Sequence, residues 1–140
     1  WVTQTFYFYM NLILIAIGGA IGSVTRYIFG EVIFRLIKSA HFFTSFPWST
    51  FLVNAVGSLL AGVLYYFVIK NFENFDPKLK NFLLVGFLGG FTTFSAFCLD
   101  FFRLATAGQH LQAFVYVLAS VTISILALFF GFYATKLIFS

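Results

Sequence analysis

Asn54, Thr92, Thr93, Ser95, Tyr116, Ser120 and Ser124 are polar residues standing inside long apolar runs. At membrane depth no water satisfies such groups, so each must find a partner or line a cavity. Tyr116, Ser120 and Ser124 recur every four residues, which aligns three hydroxyls on one face of a helix. A stripe of that kind can form a hydrated or ion-lining track. A single membrane serine, by contrast, commonly bonds only its own i−4 carbonyl. Asn54 lies in "STFLVNAVGSLLAG", where the bland reading is a clamp between two helices.

The stretch "GFLGGFTTFSAFCLD" (86–100) places two glycines and two threonines in the middle of an apolar run. These are poor helix formers, and four of them together can open a helix at its centre. An opened turn frees carbonyls, which attract cations, and N–H groups, which attract anions. Two copies crossing antiparallel at such a break could cage one small hard cation in four carbonyl oxygens, with no carboxylate. Phe94 and Phe97 follow the break. Their ring edges are electropositive and can receive an anion weakly, which suits a pore that must let its ion go. With 23 phenylalanines in 140 residues, packing is the rival account of these rings.

The remaining titratable groups suggest little chemistry. Arg26, in "SVTRY", closes the first apolar run and reads as an interfacial, snorkelling arginine. Asp100 and Arg103 are three apart, as in a local ion pair. His41 and His110 fall in connections, and neither they nor the carboxylates have metal-ligand spacing. No Ser-His-Asp or Cys-His set fits the runs, and the single Cys98 supports no disulfide framework. An enzyme is not expected.

The elements that must position these residues are membrane helices. Only 9% of the chain is charged, against roughly 25% in soluble domains. Residues 1–25, 39–69 and 104–135 carry no charge, and a fourth run lies between Lys80 and Asp100. Each is long enough to cross the hydrocarbon core, and none alternates with the period of a β-barrel strand. The expectation is an all-α integral membrane protein with helices at about 10–30, 47–70, 81–102 and 111–137, the third broken. Pro47 opens the second helix, and "KNFENFDPKLK" is a turn. Short connections predict that sequential helices are antiparallel neighbours. Met10 looks like a start, so residues 1–9 read as a leader or expression remnant ahead of a single 10–140 domain.

Net charge of +4 is spread singly over span ends, which points away from nucleic acid. Lys70, Lys78, Lys80 and Lys136 fall on the terminus side, and Arg26, Arg35, Lys38 and Arg103 on the other. This balance leaves the positive-inside rule without a vote and permits insertion both ways. Small residues four apart, Gly18 and Gly22, Gly19 and Ser23, Gly57 and Ala61, Ser58 and Gly62, allow close helix approach, within one chain or between subunits.

"GGAIGSVTRY" (18–27), "STFLVNAVGSLLAG" (49–62) and "GFLGGFTTFSAF" (86–97) together resemble the signatures of the Fluc/CrcB fluoride channel family, over about residues 10–137. The resemblance implies an antiparallel, dual-topology homodimer in the cytoplasmic (inner) membrane, with two fluoride pores. It also implies a structural sodium ion held by the backbone carbonyls of Gly89 and Thr92 of each subunit. It assigns Asn54, Thr93, Phe94, Ser95, Phe97, Tyr116, Ser120 and Ser124 to the pore and Arg26 to its entrance. Ala96, Asp100 and Leu128 depart from the family pattern, where a hydroxyl residue, a glutamate and a threonine can stand. Two other readings compete. A small multidrug-resistance type exporter needs a carboxylate in the first helix, which has none before Glu31. A non-transporting accessory subunit leaves the "GGFTT" break unexplained.

Overall fold

The computed structural model describes residues 2–39, 45–70 and 75–139. The described chain forms α1 (Val2–Ser39), α2 (Trp48–Lys70), α3 (77–91), α4 (Phe94–Thr106) and α5 (His110–Phe139). Helices α3 and α4 are the halves of one interrupted span, Pro77–Thr106. With Gln4–Ser39, Trp48–Lys70 and His110–Phe139 this makes four segments long and apolar enough to cross a membrane.

The first helix is longer than the sequence predicts. It runs without interruption through 31–39, expected to be a connection, and through residues 2–9. Apolar residues continue between the charges, and Arg35 pairs with Glu31 one turn away at 3.5 Å, a helix-supporting spacing. The 36 residues of its apolar segment extend roughly 54 Å at 1.5 Å per residue, well beyond a hydrocarbon core of about 30 Å. His41 and residues 71–74 of the second connection lie outside the described residues. At the end of that connection Asp76 accepts the Lys78 N–H at 2.8 Å, with Pro77 in the first helical position, so the Asp-Pro pair starts a helix. Gly108, with φ of 76°, closes α4 in a tight turn to α5.

Within α3, Asn81–Leu88 winds as a π-helix, a widening that the sequence reading did not anticipate. This is the stretch on which α1 packs. A Cβ on Gly22 would collide with the Phe87 carbonyl, and one on Gly90 would come within 2.5 Å of the Gly19 carbonyl oxygen. Helices α2 and α5 meet in the same way, with Gly62 against Leu128 and Gly131 against Leu59. Backbone contact through glycine replaces the side-chain layer of a soluble bundle. Gly18, Gly22 and Gly62 therefore serve packing within the chain. Sequential helices touch, as expected, but they are not the closest pairs. The tightest pairs are alternate, parallel helices, α1 with α3 and α2 with α5, rather than sequential ones.

The two pairs are joined by a small core in which Tyr116, Leu104 and Ala113 pack against Phe46, Phe51 and Phe97. Helix α4 is covered only in part, and Phe94 is 77% and Leu99 68% exposed.

Candidate functional site

Thr92 (ψ 159°) and Thr93 (φ −152°, ψ 119°) are extended, and they interrupt the third span at its centre. Several backbone groups at the interruption are held by new partners. Thr92 returns its N–H and its hydroxyl to the Leu88 carbonyl, both at 2.9 Å. Thr93 caps α4, its hydroxyl accepting the Ala96 N–H at 3.2 Å. Asn54 grips the same residue at two points: its Oδ1 accepts the Thr93 N–H at 2.8 Å, and its Nδ2 donates to the Thr93 carbonyl at 3.0 Å. The clamp reading of Asn54 therefore holds, and it acts on the break itself. One amide hydrogen stays outside the clamp and is available to a ligand.

These bonds release the two carbonyls singled out by the resemblance. In an unbroken helix Gly89 would receive the Thr93 N–H and Thr92 would receive the Ala96 N–H. Asn54 and the Thr93 hydroxyl take those donors instead. Gly89 is exposed, with no atom from another part of the fold within 4 Å of where a Cβ would stand. The Thr92 carbonyl accepts one bond, from Arg26 Nη1 at 3.2 Å, and keeps a second lone pair. The donor set fits a hard cation bound through carbonyl oxygen. Among the described residues no cluster of His, Cys, Asp or Glu offers a metal site.

Arg26 is placed differently from the sequence expectation. Because α1 continues for thirteen residues beyond it, Arg26 lies at the depth of the break instead of at a helix end. A backbone carbonyl is its partner there. Among the described residues the ion pairs join other groups, Arg35 with Glu31 and Arg103 with Asp100. With Arg26 inside the span, the opposite-side cations number three: Arg35, Lys38 and Arg103.

On one side of the break a groove of about 530 Å³ gathers Asn54, Thr93, Phe94, Phe97, Ser120 and Ser124. Leu128, Gly89 and Thr92 also line it. Phe94 and Phe97 lie 5.5 Å apart, and Phe97 lies 5.3 Å from Tyr116. Tyr116 is fully buried. Thr50 and Ser120 lie near its hydroxyl but outside hydrogen-bond geometry. The Tyr116 and Ser120 hydroxyls are thus buried without a partner. Ser95 meets Thr93 at 3.4 Å and faces a second cavity on the Arg26 side.

Thr50 is the residue that sequence reasoning missed. Its hydroxyl donates to Asp100 Oδ2 at 2.6 Å, while Arg103 pairs with the other oxygen at 3.3 Å. Its spacing of four from Asn54 was the available signal.

Fold and site together define a multi-pass membrane protein built around an interrupted span, with orphaned hydroxyls beside the interruption. Residues 13–132 match the family model described as CrcB-like protein, Camphor Resistance (CrcB). The chain belongs to the CrcB family. It is 45% identical over 122 residues to a protein of Rhizobium etli (strain CFN 42) named fluoride-specific ion channel FluC, covering 87% of this chain and 93% of the relative. Proteins of the same name from Rhizobium meliloti (strain 1021) and Caulobacter sp. (strain K31) are 41% and 40% identical. The first match covers 86% of this chain and 92% of the relative, the second 93% and 98%.

Proposed function

We propose that this protein is a passive fluoride channel of the cytoplasmic membrane, working as an antiparallel dual-topology homodimer with two pores. The observation that carries the proposal is the groove beside the break. It gathers an amide, hydroxyls and two phenylalanine rings, while two buried hydroxyls are left unbonded. Fluoride is small and tightly hydrated, so a pore must replace its water with several weak donors. Asn54 offers its spare N–H, Thr93, Ser120 and Ser124 offer hydroxyls in the groove, Tyr116 offers its buried hydroxyl beside Phe97 and Ser95 one from the Arg26-side cavity, and Phe94 and Phe97 offer ring edges. No donor is a full charge that would hold the ion in place. Chloride and larger anions gain less from such contacts than fluoride does.

The dimer is supported by the uncovered face of α4 and by the open space beside Gly89. The Gly89 and Thr92 carbonyls of two subunits supply the four oxygens for sodium. A bound cation there adds positive potential between the pores. On this chain's side, Asn54 and Thr93 hold those carbonyls out of the helical ladder.

The test is fluoride efflux from liposomes loaded with potassium fluoride and carrying the purified protein. Release of fluoride with retention of chloride is expected. Failure to release fluoride from vesicles that contain folded dimer overturns the proposal.

A further inference from the structure

A separate cavity of about 440 Å³ opens at the end of the molecule opposite the termini. It lies between the last turns of α1, the start of α2 and the last turns of α4. Lys38 and Arg103 stand in its wall, Trp48 and Phe46 line it, and Thr50 and Asp100 form its polar side. Lys38 lies over the Phe34 ring, 6.0 Å from its centroid, and Phe34 is itself part of the lining.

Two observations connect this cavity to the groove. Thr50, which lines the cavity and bonds Asp100 there, lies near the buried Tyr116 hydroxyl, and Ser120, one turn along α5 from Tyr116, lines the groove. The rings follow the same course, since Phe46 of the cavity lies 5.5 Å from Tyr116 and Phe97 lies 5.3 Å from it. Tyr116 and Ser120, the two unbonded hydroxyls of this region, therefore separate a central groove from an outer cavity.

The charges of the cavity do not cancel. Asp100 is matched by Arg103 and by the Thr50 hydroxyl. Glu31, the acidic residue of the nearby α1 turns, is paired with Arg35. Among the described residues of the lining, Lys38 remains as the excess charge. A concave, low-dielectric wall with one excess sign of charge raises the local concentration of the opposite ion.

We infer that this cavity is an anion-collecting mouth of the conduction path, in which Lys38 supplies the attracting charge and Tyr116 divides the mouth from the central groove. The inference rests on the fluoride-channel reading. In a dual-topology dimer each membrane face carries one such mouth.

The experiment is fluoride efflux from liposomes at two ionic strengths, set on both sides with an impermeant salt. The Debye length is about 30 Å at about 0.01 M and about 8 Å at about 0.15 M, so only the lower salt leaves Lys38 its reach. Wild-type flux should fall as salt rises. Lys38→Glu should cut low-salt flux by about three- to tenfold, at the lower end of focusing effects, and should flatten or invert the salt dependence. Lys38→Arg should behave as wild type. Lys38→Cys should recover low-salt flux on modification with a cationic thiosulfonate and not with an anionic one, in a Cys98→Ser background. Lys38 is exposed in the single chain, and size exclusion selects the variants that remain dimeric for the comparison. A wild-type salt profile in Lys38→Glu overturns the mouth and leaves the channel reading standing. Absence of fluoride flux in the wild type overturns the channel reading itself.

Discussion

Asn54 does two jobs with one amide, and a substitution separates them. Asn54→Leu keeps the volume but strips the N–H and the carbonyl of Thr93 of their partners, at about 1–3 kcal/mol for each group left unpaired. Both the thermal midpoint and fluoride flux should drop. An unchanged midpoint would show that the clamp contributes nothing to the break. Phe94 and Phe97 are the complementary case. Phe94 is 77% exposed in the single chain, on the uncovered face of α4, and isoleucine keeps an apolar side chain there. Volume-conserving apolar swaps usually cost less than about 1.5 kcal/mol. Phe94→Ile and Phe97→Ile should therefore leave the dimer intact while flux falls at least about tenfold, the effect of roughly 1.4 kcal/mol on a barrier. Phe130→Ile, on the exposed outer side of α5, is the control. Wild-type flux in both ring variants would reduce the rings to packing.

At the scale of elements, the glycines divide into those that join helices within the chain and one that does not. Gly22 and Gly90 sit on backbone of the facing helix, whereas Gly89 has open space. Gly22→Val should unfold the α1–α3 pair and appear as loss of expressed, monodisperse protein. Gly89→Ala should leave helix content and single-chain stability unchanged, since nothing in the chain opposes the new methyl group. It should instead weaken association of two subunits. Far-ultraviolet circular dichroism and size exclusion distinguish these outcomes. A Gly89→Ala protein that dimerises and conducts as wild type would remove Gly89 from the subunit contact. The π-helical stretch Asn81–Leu88 belongs to the same scale, because it forms the wall on which α1 rests and leads directly into the break.

For the whole molecule the testable properties are orientation and cation dependence. With Arg26 inside the span, the cations that can orient the chain number four on one side and three on the other, too small a bias to set one topology. A single cysteine placed at a terminus of a Cys98→Ser protein should label from both sides of the membrane in roughly equal parts. Labelling from one side alone would exclude dual topology. Removal of sodium and lithium should loosen the dimer and slow fluoride flux together, because the released Gly89 and Thr92 carbonyls would face one another without a counter-charge. A dimer equally stable in media free of both ions would argue against the carbonyl cage.

The sequence by itself determined the number of spans, the site of the break and the hydroxyl stripe of α5. These follow from local quantities: the length of uncharged runs, the helix propensity of "GGFTT" and a spacing of four. The family was legible for the same reason, its signatures being short and contiguous. Tertiary structure alone decided which helices pair, since a small residue four from another permits close approach without naming the partner. It also decided that Asn54 holds both backbone groups of Thr93 and that Arg26 reaches the Thr92 carbonyl, contacts 39 and 66 residues apart in the chain. The π-winding of α3, on which α1 packs, and the extension of α1 through its charged turns likewise appear only in the folded chain. Local composition carries no record of either.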